Sequence, residues 1–234
     1  QLAAVDPEQH GVGLDALPDT ELDTLVKRAR EWGIELEVGT RGLEPNHLRR
    51  YIALTVRMGA TLLRTVPELP GGEVPTIPQM VERLDAIIPE LGAAKVKLAM
   101  ENGRIPAEDL RGLLESLKCP WVGITLDTVN SMAIPEDWRH VTLTLAPYTT
   151  CLHVKDFGVF RAWHMMGFIL EGRPAGKGQL EILWLLETLR AAGVSPNAIL
   201  ELWPPEQKTL QETMALEQAW AAESIPYLRQ LIPD

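Results

Sequence analysis

Four short stretches decide how this chain folds: VKLAMEN at residues 96–102, WVGITLD at 121–127, CLHVKD at 151–156 and AILELW at 198–203. Each is an aliphatic run of strand length. Each also carries an ionisable side chain at or near its carboxyl end: Glu101, Asp127, His153 and Glu201. Amphipathic helical patterns separate them, so the runs read as buried strands of a parallel sheet whose crossovers are helices. Working outward, the alternation extends towards the start through VGLDAL from Val12, IELEVG from Ile34 and TLLRTV from Thr61. The segment DTELDTLVKRAREWG puts Leu22, Leu25, Val26 and Ala29 at helical spacing, with Asp19 or Thr20 as N-cap and Gly33 as the stop. In EPNHLRRYIALTVRMGA the inward row is Leu48, Ile52 and Val56, ending at Gly59. QMVERLDAIIPELG, AEDLRGLLESL and QLEILWLLETLRAAG follow the same pattern.

Strand and helix repeat without a linker, which predicts an α/β fold: a TIM (β/α)8 barrel forming a single domain over residues 1–234. Seven strands are legible where such a barrel needs eight. The chain opens in what reads as the helix before the second strand, without an initiating Met, so the first strand is expected to be missing. Either leading residues are lost or another segment covers the edge that an open parallel sheet exposes.

The 22 basic and 32 acidic residues leave a net charge of −10, which opposes binding to a nucleic-acid backbone or an anionic membrane surface. No apolar run approaches the ~20 residues that cross a bilayer, and QLAAVDPEQH lacks the basic-then-apolar order of a signal peptide. A cytoplasmic location is the default expectation. Cys119 and Cys151 flank or enter strands and read as small buried apolar residues rather than a disulfide framework.

Barrels carry their chemistry at the carboxyl ends of the strands. From Glu101 to Asp127 is 26 positions, from Asp127 to His153 another 26, and from His153 to Glu201 48, so each residue comes from its own strand and all four meet at one mouth. Three carboxylates and an imidazole suit Mn2+, Mg2+ or Co2+ better than a structural zinc site, which favours thiolates. The Irving–Williams order keeps Zn2+ as an alternative.

In this order MEN, LDTVNS, HVKD and LELW resemble the strand-end motifs of the xylose-isomerase-like TIM barrels, the sugar phosphate isomerase/epimerase superfamily that includes D-tagatose 3-epimerase relatives. The likeness spans residues 12–203. One such motif is weakly specific; four in sequence are much stronger. The resemblance implies that Glu101, Asp127, His153 and Glu201 bind a divalent metal, Mn2+ first, and that Glu101 and Glu201 also move the substrate proton. It implies an isomerase or epimerase of carbohydrate metabolism. The metal polarises a carbonyl and its neighbouring hydroxyl, one carboxylate removes the adjacent proton, and an enediolate forms. Returning the proton from the opposite face epimerises the carbon; returning it to the neighbouring carbon isomerises the sugar.

Further residues surround these four. Asn130 sits where the family often has His or Asn touching substrate, and it serves equally as a loop-capping amide. Lys155 and Asp156 match the family's pair beside the metal His. Asp156 could orient an imidazole or join a second metal, Lys155 could neutralise the carboxylates, and a solvated strand-end ion pair is equally compatible. Arg161 resembles the Arg that reaches substrate oxygens after this strand. Alternation turns Glu37 away from Leu36 and Val38 and towards the mouth, with Arg64 on the next strand as its natural partner; the two form an interior scaffold or bind the sugar.

All three Phe residues, Phe157, Phe160 and Phe168, fall with Trp163, Met165 and Met166 in the segment after HVKD. So apolar a loop would serve as a lid, a pocket wall, a subunit contact or packing on the rim. His164 there reads as a polar partner, and His10, His47 and His140 read as structural. EGRPAGKGQLE is Gly-rich and leads into a helix, where amides can meet an anion, and it resembles the family's Gly-rich turn. It is not a phosphate loop, because Glu171 stands where Gly is needed and Gly178 where Ser or Thr is needed. Arg173 reads as exposed, with sugar contact the alternative.

The expected partner is therefore a small sugar or keto-sugar, with no nucleic acid and no membrane, and self-association is left open. A second reading is a lyase or dehydratase on the same scaffold, for example one cleaving 3-keto-glycosides, in which the enediolate expels a substituent. Two less favoured readings are an abasic-site endonuclease, which the charge and the sparse His oppose, and a non-catalytic barrel.

Overall fold

Leu2–Ala3 (β1), Val38–Arg41 (β2), Leu62–Val66 (β3), Lys97–Glu101 (β4) and Val122–Asp127 (β5) run parallel in that order. The computed structural model describes residues 2–3 and 13–232, so His10 and Val12 lie outside the described residues. The chain divides into two units, Gln1–Thr125 and Leu126–Asp234, with the division inside β5.

In the first unit Leu63 stands opposite both Val38 and Leu98, and Glu101 opposite Thr125. Leu63, Leu98, Ala99 and Met100 are fully buried, as the aliphatic runs require of strands covered on both faces. The helices are Asp19–Glu31 (α1), Pro45–Arg57 (α2), Ile77–Asp85 (α3), Ile88–Ala94 (α4) and Ala107–Leu117 (α5).

The structure corrects three local expectations. The VGLDAL segment is not a strand: Leu14–Ala16 makes a single 3-10 turn, and β1 is the neighbour of β2. Pro18, with no N–H to pair and a fixed φ, ends any extended run there and becomes the N-cap of α1, in place of Asp19 or Thr20. On α2 the buried row is Leu48, Tyr51, Ile52 and Thr55, while Val56 is exposed, because strict i+4 steps drift off a face that turns every 3.6 residues. Gly33 (φ 63°) ends α1 as expected.

In the second unit Thr149–Val154 (β6) leads through an antiparallel ribbon, Phe157–Arg161 (β7) with Phe168–Gly172 (β8), to Asn197–Leu200 (β9). The parallel pairing of β6 and β9 puts His153 opposite Ile199 and Val154 opposite Leu200, and the Glu201 amide extends it to the Val154 carbonyl at 3.0 Å. Its helices are Trp138–Leu145 (α6), Ile182–Ala191 (α7) and Leu210–Leu231 (α8). Asp137 caps α6 and Thr209 with Glu212 caps α8. No described helix is long and apolar enough to cross a membrane.

The apolar segment after HVKD is thus a hairpin rather than a loop. Trp163 is 91% and Met166 89% exposed at its tip. Cys151 is buried, Cys119 only partly, and the two are free thiols.

Candidate metal centre

Three elements of the second unit bring functional side chains together. The end of β5 delivers Asp127, β6 delivers His153 and then Lys155, and the residue after β9 is Glu201. Asp127 is fixed by its own turn: its Oδ1 accepts the amides of Val129 and Asn130, each at 2.7 Å. An Asp that caps the turn it starts cannot rotate freely, so its Oδ2 stays aimed away from the turn. Lys155 Nζ lies 3.4 Å from Asp127 Oδ2 and 3.4 Å from Glu201 Oε2, and donates to Asn130 Oδ1 at 3.3 Å. The Trp203 ring covers it at 5.9 Å.

His153 is 1% exposed, with Nδ1 3.3 Å from Glu201 Oε2. That approach lacks hydrogen-bond alignment. Among the described residues neither ring nitrogen of His153, nor Glu201 Oε2, makes a hydrogen bond, although all three atoms are buried. Burial raises the Glu201 carboxyl, but His153, the Lys155 ammonium and Asp127 outweigh it and hold the group well below the usual carboxylate range. Glu201 is therefore an anion at neutral pH. Buried lone pairs on an imidazole and a carboxylate, beside a second fixed carboxylate, are donors of the kinds a divalent cation accepts.

In the first unit Glu101 ends β4 with 8% exposure, and Arg64 Nε on β3 pairs with its Oε2 at 3.2 Å. The sequence paired Arg64 with Glu37; the structure pairs it with Glu101, one strand further, because alternation on β3 and β4 puts both long side chains on the same face. Glu37 is buried just ahead of β2.

The other expected substrate residues fall in different places. Asn130 serves as both turn amide and neighbour of Lys155. Arg161 lies in β7, stacks on Phe168 at 4.5 Å and donates to the Met165 carbonyl at 3.3 Å. Arg173 stacks on Phe160. Asp156 is 2% exposed and turned into the Gly-rich segment rather than towards Lys155 or His153. His47 bonds Thr40 Oγ1 at 2.7 Å and packs on Tyr51, the structural role expected of it.

Two contributors escaped the sequence. Thr128 Oγ1 donates to the Lys155 carbonyl at 2.8 Å and accepts its amide at 3.1 Å, and Trp203 Nε1 donates to the Asp156 carbonyl at 3.2 Å. The one available signal was position: each lies one or two residues past a proposed ligand.

Parallel strands joined by helices, with ionisable side chains at their carboxyl ends, are the arrangement of a TIM-barrel fold. The chain belongs to the xylose isomerase-like TIM barrel family, whose profile matches residues 13–230. A 3-oxo-isoapionate decarboxylase from Pectobacterium atrosepticum is 32% identical over 216 residues, covering 92% of this chain and 78% of the relative. A xylose isomerase-like TIM barrel protein from Mycobacterium smegmatis, solved in complex with magnesium, superposes with a TM-score of 0.73 at 15% identity, covering 94% of this chain and 80% of that one. A D-psicose 3-epimerase solved in the presence of D-fructose gives 0.74 at 14%, covering 99% and 88%.

Proposed function

We propose that the chain is a divalent-metal-dependent enzyme of carbohydrate metabolism that takes a 3-oxo sugar acid through an enediolate with loss of CO2. The carrying observation is the cluster of buried Asp127 and His153 with part-buried Lys155 and Glu201, in which both His153 ring nitrogens and Glu201 Oε2 are buried atoms that make no hydrogen bond among the described residues. Glu101 is the proposed fourth ligand. It ends β4, opposite Thr125 of β5. Glu101, Asp127 and His153 each offer one ligand atom of a kind Mn2+, Mg2+, Co2+ or Zn2+ accepts, with Mn2+ our first choice. A bound cation would polarise the ketone and its adjacent hydroxyl.

The chain's own residues supply the rest. The carbon–carboxylate bond breaks, CO2 leaves, and its electron pair passes to the ketone oxygen. The Lys155 ammonium, 3.4 Å from both carboxylates, returns a proton to carbon and is reprotonated from solvent. Glu201, ionised and next to Lys155, steers that proton. Asn130 is the proposed substrate contact on the same side. Lyase chemistry is supported by the 32% identity to a decarboxylase over nearly the whole chain, where the epimerase shares the fold at 14%.

An isomerase or epimerase is the second reading, because the same residues could use Glu201 to remove a proton and Glu101 to return it. Against it, the Arg64 guanidinium already engages the Glu101 carboxylate, whereas two-base chemistry needs both carboxylates available. The deciding experiment incubates metal-loaded protein with 3-oxo-isoapionate and a ketose panel in D2O. One CO2 and one carbon-bound deuterium per turnover support the lyase; deuterium in a ketose without CO2 supports the epimerase; neither defeats both.

A further inference from the structure

The carboxylate of Asp156 receives four backbone amides. Oδ1 accepts Phe157 N at 2.8 Å and Leu180 N at 3.0 Å; Oδ2 accepts Gly176 N at 2.9 Å and Gly178 N at 3.0 Å. Its backbone carbonyl takes two more donors, the Arg173 amide at 3.0 Å and Trp203 Nε1 at 3.2 Å. Amides that converge in this way form an anion nest, and here the anion is built into the chain. The Gly-rich segment has no room for alternatives: a Cβ on Gly178 would collide with Asp156 itself, and one on Gly172 with the Trp203 carbonyl. Gly178 lets backbone close on the carboxylate, and Gly172 lets it pass the Trp203 carbonyl.

The nest lies one residue from Lys155, whose own backbone is held on the other side by Thr128. Trp203, two residues past Glu201, reaches back to the Asp156 carbonyl while its ring covers the Lys155 ammonium. The elements that carry Lys155 and Glu201 therefore meet at Asp156. We infer that Asp156 is a positioning residue: as the resident anion of the Gly176–Leu180 nest it fixes the Lys155 ammonium between Asp127 and Glu201, and it does not bind substrate. The inference rests on Lys155 and Glu201 being the reacting pair.

Asp156→Ala empties the nest, and Asp156→Asn, which keeps the shape, removes the charge and turns an NH2 towards two of the four amides. Three readouts follow for both variants: hydrogen exchange at Gly176, Gly178 and Leu180, acetylation of Lys155 by an N-hydroxysuccinimide ester, and kcat against KM for CO2 release. Exchange and acetylation should each accelerate at least about tenfold, because charge-assisted hydrogen bonds are lost. The kcat should fall by a similar factor with KM within about threefold, as expected when a reacting group loses its position. Added formate should restore all three in Asp156→Ala, since a small carboxylate can refill the nest. Unchanged exchange and acetylation, or a raised KM with kcat intact, would overturn the inference. If the wild-type protein releases no CO2, the lyase reading fails while exchange, acetylation and formate rescue still decide the nest.

Discussion

The pairing of Arg64 with Glu101 makes the sharpest energetic prediction. The two side chains are 10% and 9% exposed and 3.2 Å apart, so at an effective dielectric near 20 their gross attraction is about 5 kcal/mol. Removing one partner of such a pair commonly costs about 3–5 kcal/mol, because the other charge stays buried. Glu101 keeps a further interaction, which moves the expectation for Arg64→Met to the lower end, about 3 kcal/mol. Glu101→Gln leaves the Arg64 guanidinium buried without its counter-charge and should cost a similar amount, about 3 kcal/mol. The double variant should recover about 2 kcal/mol of the summed losses. Urea unfolding followed by tryptophan fluorescence, with chelator present so that bound metal adds nothing, measures all four corners of the cycle. A coupling energy below about 0.5 kcal/mol would refute the reasoning, because the ion pair would then be a crossing of side chains without energetic content.

Glu201→Gln should leave the unfolding midpoint within about 1 kcal/mol of wild type while lowering turnover at least about a hundredfold, measured as CO2 release and deuterium uptake; undiminished turnover would remove Glu201 from the reaction. Glu68 accepts Arg41 at 2.9 Å and Arg104 at 2.7 Å, and Arg41 first, then Arg104, hold its carboxyl below the ordinary range. A depressed folded value means its stabilisation is present above the unfolded value and lost as pH falls through the folded one. Glu68→Gln should therefore cost about 1 kcal/mol at neutral pH, with the gap closing in thermal melts as pH falls below the ordinary carboxylate range, and a gap constant with pH would count against it. Leu98→Ala, at a fully buried position of β4, should cost about 3 kcal/mol in the same urea titration; a loss under about 1 kcal/mol would mean the strand is not in a packed core.

The strands that carry the proposed ligands were legible because parallel strands buried on both faces leave continuous aliphatic runs: β4 and β5 sit inside the quoted stretches, while β6 begins two residues and β9 one residue before theirs. VGLDAL misled because four alternating residues before a proline also describe a turn, and only the missing N–H of Pro18 separates the two. The hairpin escaped because its inter-strand bonds pair residues such as Phe157 with Gly172 across a turn that carries no Asn-Gly or Asp-Gly signal. For Asp156 the sequence left open an imidazole partner, a second metal or a solvated ion pair, and the structure shows none of these but a turn into the Gly-rich segment. A carboxylate one residue past a strand can turn to either side, and the choice was made by Gly176 and Gly178, twenty residues on.

Of the site's two cations the sequence offered Lys155 as a counter-charge to the carboxylates and gave Arg64 a different partner, Glu37; electrostatics explains why both are present. A buried carboxylate without a counter-charge would take up a proton or unfold its strand. Each unit answers this with its own base: Arg64 for Glu101 in the first, Lys155 for Asp127 and Glu201 in the second. Sequence spacing reveals the carboxylates, because strand ends fix where they stand. Long flexible cations reach their partners from neighbouring strands or the same one, so only packing selects among them. The consequence is functional. In the proposed reaction an ammonium already placed between two carboxylates would have the position that proton delivery beside a developing enediolate requires. Lys155 would then be both a counter-charge for the acidic group and the acid of the proposed chemistry.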